Sequence, residues 1–411
     1  MRILWFTNNS SCYSDNTGGG WISSLEIELR KEEKVQLGVC FYADKEMKVH
    51  KGDVTYYLLP RPHKKFSYTV KQILNSRLVA SLNHEKIAIP PLLRVIEDYR
   101  PDIIHVFGSE DVFGLLSYYT DIPIVLHIQG VLSSCLNAFL PPFVSWQNYL
   151  FASKRIKSIL GRVSEKIAWE RNSIAEKRML QNIKYIMGRT EWDKRVSEVL
   201  SPRACYYHCD EILRDHFYGT EVRKIPPKPI LVTTISPFLY KGYDVILKTA
   251  QILKFSMGVE FEWRVYGDVF SDFIEKQIGI SHKFVNVRLM GKASAEEIKD
   301  AILNSTAYVH TSYIENSPNA ICEAQLLGCA CIATDVGGVS SLIENNKTGL
   351  LVPANDIYQL AHQIAYLFRE TLINEAIGRA AQDVAQERHN KQKVVQCVIE
   401  IYEQILENNL L

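Results

Sequence analysis

The sequence predicts an α/β protein built from two doubly wound parallel sheets. Short apolar strands alternate with helical patterns along most of its 411 residues, as they do where helices connect parallel strands. A chain of this length accommodates two domains of ordinary size. The stretch 226–229 holds three prolines in four residues, which excludes a helix or a central strand. It marks the predicted boundary between residues 1–222 and residues 223–389.

Composition narrows the classes of partner. The chain is 47% hydrophobic and 23% charged with a net charge of +1, so no overall electric field favours nucleic acid. Its nine cysteines match no zinc-site spacing, and an odd number fits a reduced cytoplasmic chain. The first apolar run is short and turns polar at Asn8, unlike a signal peptide. We therefore expect a cytoplasmic protein without a metal site.

The chain opens with a strand, a glycine loop and a helix. Residues 2–7 form an apolar strand, and three consecutive glycines, Gly18, Gly19 and Gly20, precede a helical pattern that starts at Trp21. Consecutive glycines let the backbone approach another group closely. Their spacing is not G-x-G-x-x-G, so a dinucleotide fingerprint is absent. Contact with a bound ligand and a plain tight turn both remain open.

Further strands are predicted at 36–42, 54–59, 103–107, 122–128, 185–188 and 204–207. His127 lies near the end of one of them, where parallel sheets bind ligands. His105 ends an earlier strand and is a rival candidate. Arg189 follows another strand and precedes a helix that Thr190 caps. Arg189 either faces a ligand or pairs with a nearby acid.

The region 139–184 raises the question of membrane contact. Residues 139–151 are rich in aromatic side chains and carry no charge, and residues 154–184 hold nine Lys or Arg against three Glu. A basic amphipathic helix that contains a tryptophan can lie on an anionic membrane. The alternative is an ordinary surface helix with a solvated basic face. Prolines and polar residues break the uncharged stretch, so it does not form a single membrane-spanning helix.

The second half repeats the alternation of strands and helices. A strand at 230–235 leads through Ser236 to Lys241 and Gly242, and a helix follows. Two more strands end at Gly267 and near Met290, and their turns are candidate ligand contacts. The last predicted helix covers residues 394–406.

The most informative stretch is 308–338. It carries Glu315 in a loop, then a helix that Ser317 is predicted to cap with Pro318 in its first turn. The free N–H groups of Asn319 and Ala320 would form an anion site at the start of this helix. A second carboxylate, Glu323, lies inside the helix.

This stretch resembles a known signature. Glu315-x7-Glu323 within E-N-S-P-N-A-x-x-E-A, followed by Gly337-Gly338, is similar to the signature of the retaining glycosyltransferases of family 4. The resemblance is good over roughly residues 230–360. It implies the GT-B fold, in which two Rossmann-like domains face each other across a cleft. It also implies that a C-terminal helix, about residues 390–411, crosses back to the first domain.

The resemblance also implies roles for particular residues. Lys241 would bind the donor diphosphate, Glu315 the hydroxyls of the donor sugar, and Glu323 the ribose. His127 would contact the donor sugar or its phosphate, and together with Lys241 and Glu315 it forms the expected catalytic set. The remaining expected donor contacts are Gly18, Gly19, Gly20, Ser236, Gly267, Met290, Asn319 and Ala320. Ser236 occupies the place of an arginine that usually assists the lysine, and Arg264 and Lys292 are possible substitutes.

We therefore expect a retaining glycosyltransferase that uses a UDP- or GDP-sugar and a glycan or lipid-linked glycan acceptor in cell-surface polysaccharide synthesis. No Asp-x-Asp motif stands out, so neither a metal nor another cofactor is expected. One alternative, prompted by Ser236, is a catalytically weak or non-catalytic protein that binds sugar nucleotides. A second alternative is a glycoside hydrolase that uses two carboxylates.

Overall fold

The chain divides into two compact units. The computed structural model describes residues 1–13, 20–62, 76–153, 155–219 and 223–410. Unit 1 comprises Met1–Leu136, Ser153–Ile212 and Asn390–Leu411, and unit 2 comprises Asn137–Ala152 and Leu213–His389. The chain thus enters unit 2 at Leu213, before the proline-rich stretch, and the segment 137–152 groups with unit 2 although it interrupts the sequence of unit 1.

Unit 1 contains an eight-stranded sheet in the order β3-β4-β2-β1-β5-β6-β7-β8. The strands are β1 Arg2–Thr7, β2 Gln36–Ala43, β3 Met47–Lys51, β4 Val54–Pro60, β5 Ile103–Phe107, β6 Ile124–His127, β7 Tyr185–Gly188 and β8 Cys205–His208. All neighbours are parallel except β3 and β4, which pair antiparallel. Ile3 and Trp5 pack into one core, and Leu4 and Phe6 into the other. Burial on both faces explains why the strands are almost wholly apolar.

The α-helices of unit 1 are Gly20–Leu29, Arg77–Tyr99, Leu132–Asn137, Ile156–Asn182, Glu191–Leu200 and Lys391–Leu410. The helix Arg77–Tyr99 runs without interruption through Pro90 and Pro91. A 3₁₀ helix covers Val112–Tyr118. Thr190 caps Glu191–Leu200 in a reciprocal capping box with Asp193, as predicted.

The C-terminal helix, Lys391–Leu410, belongs to unit 1, as predicted. Its residues Val398, Tyr402 and Ile405 are fully buried. The hydroxyl of Tyr402 accepts a hydrogen bond from Trp5 Nε1 at 3.2 Å and lies 2.6 Å from His105 Nδ1. The helix therefore closes one face of the unit 1 sheet directly over β1 and β5.

Unit 2 contains a six-stranded, wholly parallel sheet in the order β11-β10-β9-β12-β13-β14. Its strands are β9 Ile230–Ile235, β10 Glu262–Gly267, β11 Val287–Gly291, β12 Ala307–His310, β13 Cys331–Thr334 and β14 Leu350–Val352. The strand order reverses between β9 and β12. In open parallel sheets ligands bind at the carboxyl ends of the strands where the order reverses. The topology therefore directs attention to the loops after β9 and β12.

The α-helices of unit 2 are Trp146–Leu150, Tyr243–Gln251, Ser271–Ile278, Ala295–Leu303, Asn319–Leu326, Val339–Leu342, Ile357–Arg369 and Thr371–Arg388. A π-helical turn, Ile252–Ser256, extends the second of them. Ser294 caps Ala295–Leu303 in a capping box with Glu297. The α/β class with two parallel, Rossmann-like sheets is confirmed.

The segment 137–152 packs within unit 2. The ring of Tyr149 lies against Phe273, and Asn148 Nδ2 donates to Gln277 Oε1 at 3.2 Å. Phe139 and Tyr149 are buried, whereas Phe151 is 66% exposed. Most of the aromatic side chains that prompted the expectation of membrane contact are thus used for packing. Among the residues described, no helix combines the length and apolar character needed to cross a bilayer.

Candidate functional site

Two loops of unit 2 meet at the point where its strand order reverses. Lys241 ends a 3₁₀ turn after β9, and Glu315 lies in the loop after β12. Lys241 Nζ donates to Glu315 Oε1 at 2.5 Å. Thr311 Oγ1 donates to the carbonyls of Lys241 and Gly242, each at 3.1 Å, and fastens one loop to the other. The fold thus brings together two predicted site residues that are far apart in sequence.

Glu315 carries a largely buried carboxylate whose Oε1 has several polar partners in the protein. Besides Lys241, Ser312 Oγ donates to Oε1 at 2.7 Å and His310 Nε2 lies 3.1 Å from the same oxygen. Burial acts to raise the pKa of Glu315, but the charges and hydrogen bonds of Lys241 and His310 outweigh it and hold the pKa well below its usual range. Glu315 is therefore ionised at neutral pH. All three contacts use Oε1, which leaves Oε2 for other donors.

Two glycines allow this close packing of loops. Gly242 has φ +76°, and a Cβ there would lie 2.0 Å from the carbonyl oxygen of Thr311. Gly337 has φ +54°, and a Cβ would lie 1.8 Å from the carbonyl oxygen of Glu315. A side chain at either position would be strained and would push the loops apart. The glycines after Lys241 and in the Gly337-Gly338 turn thus hold the lysine and the glutamate in place.

The helix that carries Glu323, here called the motif helix, runs from Asn319 to Leu326. It begins one residue later than predicted. The expected cap by Ser317 is wrong because Pro318 occupies the N-cap position, and Pro318 makes no side-chain cap hydrogen bond. The N–H groups of Asn319 and Ala320 have no acceptor among the described residues. These N–H groups stand at the positive end of the helix dipole, which is an anion-binding geometry.

Glu323 forms an ion pair that the sequence did not reveal. Arg214 Nε and Nη2 donate to its two oxygens, both at 2.7 Å. The guanidinium also lies 4.8 Å from the centre of the Phe217 ring. A buried carboxylate needs a cationic or hydrogen-bonding partner, so some partner could be expected. Arg214 lies in a segment without a periodic pattern, and nothing in the sequence identified it.

The other predicted donor contacts of unit 2 lie at strand ends. Ser236 follows β9, Gly267 ends β10 against the carbonyl of Ile235, and Met290 lies near the end of β11 with 45% exposure. The two proposed substitutes for the missing arginine already have acidic partners. Arg264 Nε donates to Glu262 Oε1 at 2.6 Å, and Lys292 Nζ lies 3.1 Å from Asp268.

In unit 1, His127 and His105 have different surroundings. His127 is the last residue of β6, is fully buried, and makes a T-shaped contact with Trp21 at 4.9 Å. Neither of its ring nitrogens has a hydrogen-bond partner in the described part of the chain. Burial lowers its pKa well below the usual value, so the ring is neutral. His105 is instead a core residue bonded to Tyr402. Gly18 and Gly19 lie outside the described residues, and Gly20 starts the helix Gly20–Leu29.

Arg189 fits the second of its two predicted roles, which is to pair with a nearby acid. It is 4% exposed, its Nη1 lies 3.6 Å from Glu211 Oε2, and its Nη2 donates to the carbonyl of Gln129 at 3.3 Å. The guanidinium also lies 5.1 Å from the centre of the Trp21 ring. Arg189 thus pairs with a nearby acid, and a direct contact with a ligand stays a prediction.

The region that holds Lys241, Glu315 and Glu323 is similar to a known protein family. Residues 220–384 match the family described as glycosyl transferases group 1. The C-terminal part of the chain is a group 1 glycosyltransferase domain. The match begins shortly before β9 and ends within the helix Thr371–Arg388, so this domain lies inside unit 2.

Relatives of the group 1 domain occur in bacteria and yeast. The GPI3 subunit of phosphatidylinositol N-acetylglucosaminyltransferase from Saccharomyces cerevisiae is 24% identical over 196 residues, which cover 47% of this chain and 42% of that protein. The amylovoran biosynthesis glycosyltransferase AmsK from Erwinia amylovora is 27% identical over 153 residues, or 35% and 37% of the two chains. The chain therefore spans less than half the length of these relatives.

Solved structures match over nearly the whole chain. Sucrose-phosphate synthase from Thermosynechococcus elongatus has a TM-score of 0.71 at 13% identity, with 99% of each chain covered. HepE from Anabaena, in complex with UDP and glucose, has a TM-score of 0.62 at 15% identity, with 98% of this chain and 99% of that one covered. At such identities the likeness concerns the fold, which is GT-B as expected.

Proposed function

We propose that the protein is a retaining glycosyltransferase that moves a sugar from a nucleotide-sugar donor to a glycan or lipid-linked glycan. The observation that carries the proposal is the pair formed by Lys241 and Glu315 beside the start of the motif helix. The pair supplies a cation and an ionised carboxylate, and the motif helix supplies two free N–H groups. All of them lie in segments that follow strands next to the reversal point of a parallel sheet. A sugar diphosphate presents complementary chemistry: phosphate oxygens for the cation and the N–H groups, and hydroxyls for the carboxylate.

The transfer must stabilise a departing diphosphate and a developing oxocarbenium ion. Preorganised charges supply much of this stabilisation. In the proposed mechanism Lys241 and the N–H groups of Asn319 and Ala320 bind the diphosphate, and Glu315 accepts hydrogen bonds from the sugar hydroxyls through Oε2. Lys241 then shares its ammonium between Glu315 and the phosphate. Glu323 accepts a ribose hydroxyl and shares its carboxylate with Arg214.

The proposed reaction needs no protein base. The acceptor hydroxyl attacks the face from which the diphosphate leaves, and a phosphate oxygen takes the proton. Such attack retains the configuration of the anomeric carbon. Within this proposal His127 contacts the donor through a neutral ring, and neither a metal nor another cofactor takes part.

The descriptions of two similar proteins support a UDP-sugar as donor and a role in polysaccharide assembly. HepE is described in complex with UDP and glucose, and AmsK as an amylovoran biosynthesis enzyme. We extend these features to this chain as part of the proposal, with a cytoplasmic location near the inner face of the membrane. GDP-sugars are the alternative donor class.

A second candidate is a protein that binds sugar nucleotides with weak or no turnover. Two observations favour it: Ser236 provides no charge where an arginine usually assists the lysine, and Arg264 is already paired with Glu262. Less positive charge would then face the leaving group. Glu315 and the motif helix could still bind a nucleotide.

The test combines binding and product analysis. Calorimetry with UDP- and GDP-sugars should show binding that Lys241→Ala and Glu323→Ala each weaken at least about tenfold, whereas Lys347→Ala, in an exposed surface pair with Glu344, should change nothing. Unchanged binding in both site variants would show that the site is misplaced. Transfer products, read by NMR at the anomeric carbon, should keep the donor configuration. Inversion would contradict the mechanism, and binding without turnover would favour the second candidate.

A further inference from the structure

A cavity of about 880 Å³ in unit 2 is lined mainly by residues outside the candidate donor site, and of the predicted donor contacts it includes Met290. It runs along the outer edge strand β11 and the amino ends of β10 and β11, whereas the site residues follow the carboxyl ends of the strands. Its polar lining includes Lys228, Lys254, Glu260, Glu262, Lys283 and Arg288. These residues and the turns beside them are called the β11 face.

The β11 face has an excess of exposed positive charge. Lys228 and Lys283 are exposed, and neither side chain forms an ion pair or hydrogen bond with the described residues. Arg288 is 68% exposed and lies 3.4 Å from Glu262, which Arg264 also binds. The four cations of the lining thus face two carboxylates, one of them already neutralised.

Two exposed phenylalanines stand beside these charges. Phe255 is 64% exposed on the π-helical turn, and Phe284 is 71% exposed at the end of a 3₁₀ turn. Lys254 connects them: its Nζ lies 5.3 Å from the centre of the Phe255 ring and donates to the carbonyl of Phe284 at 2.6 Å. Met257, which directly follows the π-helical turn and is 40% exposed, extends the apolar surface.

Single exposed apolar side chains are normal, but a group of them marks an interaction site. Here the two aromatic rings are largely exposed on short turns and are not among the residues that line the cavity, so they are suited to insertion rather than to receiving a partner. Cations on flexible stems surround them, which complements phosphate headgroups. We propose that the β11 face binds the surface of an anionic lipid bilayer. Phe255 and Phe284 insert among the headgroups, and Lys228, Lys283 and Arg288 contact lipid phosphates.

This contact is independent of the proposed enzymatic function and of the basic region 154–184. It involves neither Lys241 nor Glu315, so nucleotide binding reports separately on the donor site. The β11 face and the region 139–184 share no residues, so each can be altered separately. Matched variants for the region 139–184 change side chains that are exposed there. One is Phe151→Ser, and the other combines Arg155→Glu with Lys157→Glu.

The experiment is vesicle co-sedimentation of the full chain. Phosphatidylcholine vesicles that contain phosphatidylglycerol should sediment the protein, with binding weakened by salt, and pure phosphatidylcholine vesicles should not. Phe255→Ser with Phe284→Ser, and separately Lys228→Glu with Lys283→Glu, should each weaken binding at least about tenfold. Melting temperature and calorimetric nucleotide titration verify that these variants fold. The variants of residues 139–184 should bind vesicles like the unaltered protein.

Several outcomes would overturn the proposal. The unaltered protein could fail to bind anionic vesicles, or the β11-face variants could bind as well as it does. Loss of binding only in the variants of residues 139–184 would move the contact to that region. Competition by soluble glycerol phosphate would indicate a site for free phosphate. If the β11-face variants differed from the unaltered protein in molecular mass by light scattering but bound vesicles equally well, the face would be an interface between copies of the chain.

Discussion

Replacement of Lys241 by methionine tests whether the charge pair at the centre of the candidate site is formed in solution. The variant keeps the length of the side chain and removes its charge. Glu315, whose side chain is only 11% exposed, then loses its cation at 2.5 Å but keeps Ser312 and His310. Loss of one partner from a buried ion pair costs about 3–5 kcal/mol. Because Lys241 is 20% exposed and two donors remain, we expect about 2–3 kcal/mol.

Urea denaturation and thermal melting measure this loss. For a domain of this size about 2–3 kcal/mol corresponds to a fall in Tm of roughly 5–10 °C. A double-mutant cycle with Glu315→Gln isolates the pair and should give a coupling energy of about 2 kcal/mol. A coupling below about 0.5 kcal/mol would refute the reasoning, because the pair would then behave like an exposed surface ion pair.

The pH dependence supplies an independent check. The folded-state pKa of Glu315 lies below that of the unfolded chain, so its stabilising effect is complete above the ordinary carboxyl range. It is lost as the pH falls through the depressed pKa. The difference in stability between Lys241→Met and the unaltered protein should therefore be full at pH 7, where Glu315 is ionised, and should shrink in acid.

Three further predictions follow from the same site and from unit 1. Gly337→Ala should destabilise unit 2 by at least about 2 kcal/mol and weaken nucleotide binding, whereas Gly161→Ala, within the helix Ile156–Asn182 and with open space at its Cβ position, should do neither; equal effects in denaturation and calorimetry would contradict the steric argument. Arg214→Met leaves the carboxylate of Glu323 without its cation and should cost about 2–3 kcal/mol in urea denaturation, with restoration by Glu323→Gln in the double variant; no restoration would show that Arg214 acts otherwise. Burial lowers the pKa of His127, so below about pH 6.5 the unfolded chain binds a proton that the native ring does not, and stability falls by up to about 1.4 kcal/mol per pH unit. His127→Phe should reduce that slope between pH 7 and pH 5, and an unchanged slope would show that His127 titrates in the native state.

Local patterns predicted much of the fold because they have local causes. Strands buried on both faces are continuously apolar, and capping boxes such as that of Thr190 and Asp193 are contained within four residues. The antiparallel strand β3, Met47–Lys51, was missed because four of its five side chains are exposed and its pattern is polar. Proline usually interrupts a helix, so the local pattern does not predict that the helix Arg77–Tyr99 continues through both Pro90 and Pro91.

The candidate site also has features that the local sequence predicts and features that depend on distant contacts. Glu315, Glu323 and the start of the motif helix are close in sequence, and the resemblance pointed to them and to Lys241. Arg214 and the loop contact of Thr311 depend on how distant segments meet, and no periodicity reports that. His310 could have been suggested by its position at the end of β12, the rule that drew attention to His127. The reason for Gly337 became clear only when its neighbour, the carbonyl of Glu315, was known.

The C-terminal helix has a consequence for the order in which the chain matures. Its Tyr402 bonds Trp5 in the first strand, so the core of unit 1 joins residues that lie 397 positions apart in the chain. Unit 2 is complete once translation reaches His389. A nascent chain on the ribosome can therefore finish its second unit while the first still exposes one apolar face of its sheet. Release of residues 391–410, rather than synthesis of the amino-terminal half, then becomes the step that protects unit 1 from aggregation.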